Sequence, residues 1–260
     1  MASVPPSSSA RTALVTGAAR RIGRALAESL AGDGWRVAVH YHGSPEAADD
    51  VVATIRTRGG DAVAVEADLS DIAATRSLIA RAAKLIGPLS CLINNASIFE
   101  RDDIHTATVE SWSSHIDINL RAPFFLSQAF AKQLPGGTAG DIINIIDERV
   151  WHLTPHFASY TVSKAGLWTL TQTLAMALAP AIRVNAVGPG PTLPSSRQTQ
   201  AQFDALSRSM PLQRGTKPEE IAAAVRFILA APAMTGQMIA LDGGQHLGWG
   251  QMPNTTPPLD

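Results

Sequence analysis

The chain has little that would take it out of the ordinary class of small-molecule enzymes. Cys91 is the only cysteine in 260 residues, so no disulfide can form within the chain, and a reducing cytoplasm is the expected setting. It stands in the apolar run 89–93, where packing is its expected use. Neither sign of charge is in excess. Lysine and arginine number 21 against 22 aspartates and glutamates, a formal net charge of −1, which leaves no electrostatic footprint for nucleic acid or an anionic membrane. No apolar stretch is long and uninterrupted enough to span a bilayer. Internal repeats and charge runs are missing too. The opening MASVPPSSSA lacks the apolar segment of a signal peptide and reads as a disordered leader over 1–10. No composition break divides the rest of the chain, so 11–251 is expected to be a single catalytic domain and 252–260 a flexible tail.

What is present is alternation. Apolar strand candidates at 12–16, 36–41, 61–66, 89–93, 141–146, 181–187 and 238–241 alternate with helical patterns at 21–31, 45–58, 71–86, 108–133, 157–179, 201–207 and 218–230. Such a pattern announces a parallel sheet covered on both faces: an α/β, doubly wound Rossmann fold of seven strands. Ligands of these sheets gather at the carboxyl ends of the strands. The first strand ends in Thr16 and Gly17, followed by Ala18-Ala19-Arg20-Arg21-Ile22-Gly23 and a helical pattern. Strand, glycine turn and helix in that order make a nucleotide phosphate site, because backbone N–H groups at a helix N-terminus face an anion.

Tyr160-x-x-x-Lys164 supplies a candidate proton donor. Residues four apart share a helix face, so the ammonium is expected to stabilise a phenolate and lower its pKa. Asp147 stands thirteen residues earlier. A hydroxyl there would suit a carbonyl oxygen, whereas a carboxyl group can hold or relay a proton to a basic ring nitrogen.

Thr16-Gly17, Gly23, Asn94-Asn95-Ala96, Asn119, Tyr160-x-x-x-Lys164, Pro189-Gly190 and Asp242-Gly243-Gly244 occur in the order and spacing of the short-chain dehydrogenase/reductases. That resemblance covers roughly 11–245. Within the family the chain resembles the pteridine reductase branch. Arg21 replaces the middle glycine of T-G-x-x-x-G-x-G, Ser97 follows Asn-Asn-Ala where glycine is usual, Asp147 replaces a serine, and Val39-His40-Tyr41-His42-x-Ser44 matches the segment after the second strand.

An acidic residue at the end of the second strand would bond the ribose 2′-hydroxyl of NAD and repel the 2′-phosphate of NADP. Residues 40–44 carry no carboxylate, and Arg20 and Arg21 lie in the phosphate turn, so NADPH is the expected cofactor. Gly43 takes the place of an arginine common in the branch, leaving His42, Ser44 and Arg20 to hold the phosphate. By resemblance, Asp68 with Leu69 meets the adenine edge, though Asp68 or Ser70 could equally be a helix N-cap. Ile22, Asn95, Ala96, Ser97, Pro189 and Gly190 would complete the cofactor site together with Tyr160 and Lys164. Asn119 matches the position that kinks a long helix and holds a water connected to the lysine.

The substrate would be a pterin or folate lying between Phe99 and the nicotinamide, with Arg21, Ser97, Asp147 and Tyr160 around it. Packing is the other ordinary use of a phenylalanine in such a loop. Residues 191–214 read as a substrate-covering loop with a short helix. Trp151, His152, His156 and Trp168 lie near the catalytic helix as candidate pocket residues. The mechanism implied is hydride transfer to a C=N carbon, with Tyr160 as immediate proton donor, Lys164 holding the nicotinamide ribose, and Asp147 sharing the proton. Two alternatives stand beside it: a carbonyl or 3-oxoacyl reductase, and a non-catalytic NADP-binding regulator. No metal is expected. The family implies a homotetramer, and the helix carrying Tyr160, apolar on more than one face through Leu170, Leu174 and Leu178, has room for a second partner. The tail from 246 is expected to reach toward a neighbouring pocket as far as Gln251.

Overall fold

The computed structural model describes residues 11–195 and 197–248. The expected leader, 1–10, and the tail from 249 lie outside the described residues. Seven strands form one parallel sheet: β1 (Thr12–Val15), β2 (Arg36–Tyr41), β3 (Asp61–Glu66), β4 (Cys91–Asn94), β5 (Gly140–Ile145), β6 (Ile182–Pro189) and β7 (Met238–Leu241). Their order is β3-β2-β1-β4-β5-β6-β7, with the reversal of direction between β1 and β4. Each strand end therefore feeds a crossover helix. These are α1 (Arg21–Gly32), α2 (Pro45–Thr57), α3 (Ile72–Ile86), α4 (Val109–Ile116), α5 (Ala122–Gln133), α6 (Ala158–Leu178), α7 (Gln200–Ser209) and α8 (Pro218–Ala230).

Period-two alternation splits each strand between two cores. Ala13 and Val15 of β1 turn toward Leu26, Leu30, Val51, Ile55, Val225 and Ile228 of α1, α2 and α8. Leu14 turns the other way, onto the core that holds Leu78, Ile79, Leu126 and Phe130 of α3 and α5. Both faces are thus covered, as the alternating pattern requires. Within β2 the same alternation sends Val37 and Val39 to the first core and leaves His40 on the side of Ala38.

Two expectations are corrected. The single helix expected over 108–133 is interrupted by a π-helical turn, Asp117–Arg121, in which the Ala122 N–H reaches back five residues to the Asp117 carbonyl. Pro123 has no N–H to give the carbonyl of Asn119, so the regular ladder cannot pass this point. The N-cap of α3 is Asp71, whose side chain accepts the Ala73 N–H at 2.8 Å. Asp68 instead accepts both the N–H and the hydroxyl of Ser70, at 2.8 and 2.7 Å, in a local turn ahead of the helix.

Candidate functional site

The turn after β1 is locked by its own neighbours. Gly17 adopts φ +61°, and a β-carbon there would sit 3.0 Å from the Ala96 Cα. At Gly23 a β-carbon would lie 2.1 Å from the Gly17 carbonyl oxygen, so only glycine lets α1 start so close to the turn. Thr16 Oγ1 accepts the N–H groups of Asn95 and Ala96 at 2.9 and 3.0 Å, and Asn95 Nδ2 donates to the Thr16 and Gly17 carbonyls at 2.9 and 3.2 Å. His40 fastens the other side. Its Nδ1 accepts the Gly17 N–H at 3.0 Å, which leaves Nε2 to donate to the Ala67 carbonyl at 3.1 Å. Burial lowers His40 to about 4, so the ring is neutral, as both bonds require.

The first turn of α1 has no side-chain cap, and its N–H groups face a cavity of about 380 Å³. Gly17, Arg20, Arg21, Ile22, Gly23, His42, Asp68, Leu69, Asn95, Ala96 and Ser97 all line it, together with His40. Ser44 is the exception. It stands at the N-cap of α2 and is not part of the lining. An adenine nucleotide fits this cavity by its uncapped helix start, its glycine-only close approach and its two exposed cations, Arg20 and Arg21. Asp68 keeps its negative charge, held below the usual carboxylate range by the Ser70 hydroxyl and N–H.

Arg21 occupies φ +53°, a left-handed backbone that explains why glycine is usual at this position. Its guanidinium leaves the turn and donates to the Pro194 and Leu193 carbonyls at 2.9 and 3.1 Å. It therefore lines a second cavity as well, of about 270 Å³, beyond the ends of β4, β5 and β6. Asp147, Tyr160, Lys164, Ser97, Phe99, Pro189 and Gly190 meet there, covered by Leu193, Phe203 and Leu206. The covering segment is the expected loop with its short helix, α7. Gly190 is required by space, because a β-carbon would stand 2.7 Å from the Asp242 Cα.

The Tyr160 hydroxyl donates to Asp147 Oδ2 at 2.7 Å, while Asp147 Oδ1 caps the following 3₁₀ turn by accepting the Arg149 N–H at 2.9 Å. Burial, the Asp147 charge and this hydrogen bond push Tyr160 well above the ordinary tyrosine value. The expected lowering of that pKa by Lys164 is thus reversed. Lys164 Nζ is committed to the Ile145 carbonyl at 2.9 Å, and burial lowers it to about 8 against the opposing pull of Asp147. Asn119 is wholly buried in the π turn. Its Oδ1 accepts the Ile98 N–H at 2.9 Å, and its Nδ2 donates to the Ile98 carbonyl and Ser163 Oγ at 3.0 and 3.1 Å, tying the loop after β4 to the helix of Tyr160 and Lys164.

Phe99 packs as well as lining the cavity. Its ring stacks on Phe157 at 4.4 Å and 5°, and meets the Tyr160 ring edge-on at 4.7 Å. Arg149 and Arg197 lie over this aromatic pair, with Arg197 also donating to the Phe99 carbonyl and pairing with Glu100 at 2.7 Å. Phe157, Arg149 and Arg197 belong to no motif, and only the fold assembles them. His40 carried a readable signal, a polar residue at an inward position of an otherwise apolar strand. Trp151, His152, His156 and Trp168 do not line the cavity. Trp151 packs edge-on against Trp168 and His246, while Gln245 reaches the cavity from the 3₁₀ turn after β7. Among the described residues, no group of three histidines, cysteines or carboxylates could hold a metal, and no helix is long and apolar enough to cross a membrane.

Comparison with known proteins agrees with this geometry. The family profile described as enoyl-(acyl carrier protein) reductase matches residues 17–246. The FolM alternative dihydrofolate reductase 1 of Brucella canis, solved in complex with NADP, superposes with a TM-score of 0.90 at 45% identity, covering 95% of this chain and 97% of that one. A short-chain dehydrogenase of Burkholderia cenocepacia, also solved with NADP, gives 0.84 at 36%, covering 90% and 97%. The 3-oxoacyl-[acyl-carrier-protein] reductase of Synechocystis is 36% identical over 239 residues, 90% of this chain and 96% of its own length. The chain belongs to the short-chain dehydrogenase/reductase family of oxidoreductases, within which its likeness runs to the pteridine reductase branch.

Proposed function

We propose that the protein is an NADPH-dependent reductase of pterins, dihydropterins or dihydrofolate. The observation that carries this reading is the Asp147 carboxylate bonded to the Tyr160 hydroxyl, in the place where a carbonyl reductase would use a serine. Bound in the two adjoining cavities, NADPH would supply a hydride to the carbon of a C=N bond. Residues 17–23, with Asn95 and Ala96, would hold its phosphates and ribose, Asp68 and Leu69 its adenine, and Arg20 and His42 its 2′-phosphate. No carboxylate between 40 and 44 opposes that phosphate.

Tyr160 keeps its proton at working pH, so it acts as an acid from the outset and gives that proton to the ring nitrogen. As the hydroxyl proton leaves, Lys164 is the buried cation on the same helix face, its Nζ 5.8 Å from the Tyr160 ring centroid, and it stabilises the phenolate that forms. Asp147 fixes the hydroxyl in the cavity and is the group through which its proton can be replaced. Phe99 has one face committed to Phe157, so a flat heterocycle would use what remains exposed. The covering segment 191–195, tethered by Arg21, excludes water from the reacting atoms.

A 3-oxoacyl reductase is the second reading, favoured by the name of the Synechocystis relative. Assays with NADPH on dihydromonapterin, dihydrofolate, dihydrobiopterin, biopterin and a 3-oxoacyl thioester separate the two. Pterin turnover falling roughly a hundredfold in Asp147→Ser, with any ketone activity kept or raised, is the expected result. A wild type that reduces the thioester and no pterin would overturn the assignment. Self-association fits the same reading, since Phe124 on α5 and Val162 and Met176 on α6 are exposed on helices that also bear an apolar groove. A homotetramer is expected in light scattering.

A further inference from the structure

Three polar side chains outside the cavity are almost fully buried together. Asp102 is 3% exposed, and His115 and Ser159 are wholly buried. Burial of a carboxylate and an imidazole is costly unless every bond is made, so such a cluster persists only where it fixes something.

The bonds specify what it fixes. Asp102 Oδ1 accepts the Ser159 N–H at 3.1 Å, Oδ2 accepts the Ser159 hydroxyl, and the Asp102 carbonyl accepts the Phe157 N–H at 2.7 Å. His115 Nε2 accepts the Glu100 N–H at 3.1 Å, which places the ring proton on Nδ1, 2.8 Å from both the Ser111 carbonyl and Ser159 Oγ. The donors therefore run from His115 to Ser159 to Asp102. This is the reverse of a hydrolase triad, in which the histidine takes the serine proton. None of the three lines the substrate cavity. A nucleophile is thereby excluded.

Apart from the Ser111 carbonyl on the helix of His115 itself, the backbone groups held by this chain of bonds belong to two segments, the loop 99–102 and the start of α6. Those segments carry the three rings that meet at the cavity: Phe99, Phe157 and Tyr160. Phe157 sits at φ +58°, a left-handed conformation that a residue with a β-carbon adopts only when its surroundings enforce it, and its N–H is the one held by Asp102. The His115 ring also meets the Tyr160 ring edge-on at 6.1 Å. We propose that Asp102, Ser159 and His115 are positioning residues that set the Tyr160 donor against the Phe99 platform. In its effect on turnover, the proposal rests on the reading of Tyr160 as proton donor to a pterin.

The chain has two tyrosines, Tyr41 and Tyr160, so protein labelled with 3-fluorotyrosine gives two fluorine resonances, assigned with Tyr41→Phe. Ser159→Ala removes only the hydroxyl link. It should shift the Tyr160 resonance and not that of Tyr41, lower kcat/KM for dihydrobiopterin about tenfold, and change the NADPH Kd by less than about twofold. Ser159→Thr, which restores the hydroxyl, should recover both readouts. His115→Phe keeps a ring against Tyr160 but loses both nitrogens, and should act as Ser159→Ala does. A Tyr160 resonance that stays in place in both variants, with only the melting temperature lowered, overturns the proposal and leaves a plain core network. A wild type inactive on every pterin overturns the substrate reading alone, and the resonance still decides the positioning one.

Discussion

Acidification should loosen the turn after β1 through His40. The ring accepts the Gly17 N–H and donates to the Ala67 carbonyl, so it holds the phosphate turn and the segment after β3 together only while neutral. Its pKa is lowered from 6.5 to about 4 by burial, the main cause, helped by the charges of His42 and Arg81 and opposed by the bond to Ala67. A pKa lower in the folded than in the unfolded chain means that the unfolded state takes up the proton first. The corresponding stability is present in full above 6.5 and is lost as pH falls toward 4. At 1.36 kcal/mol per unit the whole window amounts to about 3 kcal/mol, and at pH 5 about 2 kcal/mol is already gone.

Urea denaturation from pH 7.5 to 4.5, on wild type and His40→Gln, measures this directly. Glutamine offers an acceptor and a donor but does not titrate, so the variant should lose stability less steeply, with the two curves diverging by about 2 kcal/mol at pH 5. Asp141 acts in the opposite sense. Burial raises it to about 6 against its ion pair with Arg183, so its contribution is present below the ordinary carboxylate pKa and fades as pH rises through 6. It is common to both proteins and cancels in the difference. Parallel curves for wild type and variant would refute the role assigned to His40.

Tyr160→Phe should abolish reduction while leaving NADPH affinity, read by fluorescence titration, nearly unchanged; retention of most of the rate would require another proton source. Lys164, brought to about 8 by burial, loses its charge above that value, so kcat/KM should fall on the alkaline side near 8, and Lys164→Arg should remove that limb if the variant is active. Arg21→Gly fits the left-handed position and frees the bonds to Leu193 and Pro194; hydrogen exchange at 192–195 should quicken in ligand-free protein, with stability within about 1 kcal/mol of wild type as relieved strain offsets the lost bonds. NADPH should support turnover at least about tenfold better than NADH, which takes only ~1.4 kcal/mol of discrimination, and equal efficiency would refute the reading of 40–44.

The strands were legible because each is a short apolar run ended by a turn residue, and their alternation with helices leaves few topologies. β2, β3 and β7 fall on their expected bounds, and the ends of the others moved by at most two residues, as at β4, expected over 89–93 and found at Cys91–Asn94. The π turn was half legible. A polar asparagine inside a helical pattern marked a kink, but the wider turn depends on Pro123 and on the bonds Asn119 makes to Ile98, a contact across 21 residues. Phe99 was found as a cavity residue, yet its stacking on Phe157 brings together two loops that no local pattern joins.

The tyrosine and lysine pair shows where spacing stops being informative. Four residues along a helix put both side chains on one face, and that much is correct. Which groups they then touch is decided by β5, the strand beneath, whose Ile145 carbonyl takes the Lys164 ammonium and whose following residues bring Asp147 to the hydroxyl. The result inverts the expected electrostatics, because burial first, and then the Asp147 carboxyl group at 2.7 Å, hold the proton on Tyr160 rather than drawing it off. A carbonyl oxygen and a pterin nitrogen both need a proton, but the nitrogen accepts it more readily, so a donor of raised pKa is better matched to it. The replacement of a serine by Asp147, visible as a single letter in the sequence, acquires its chemical meaning only from that distance and that burial.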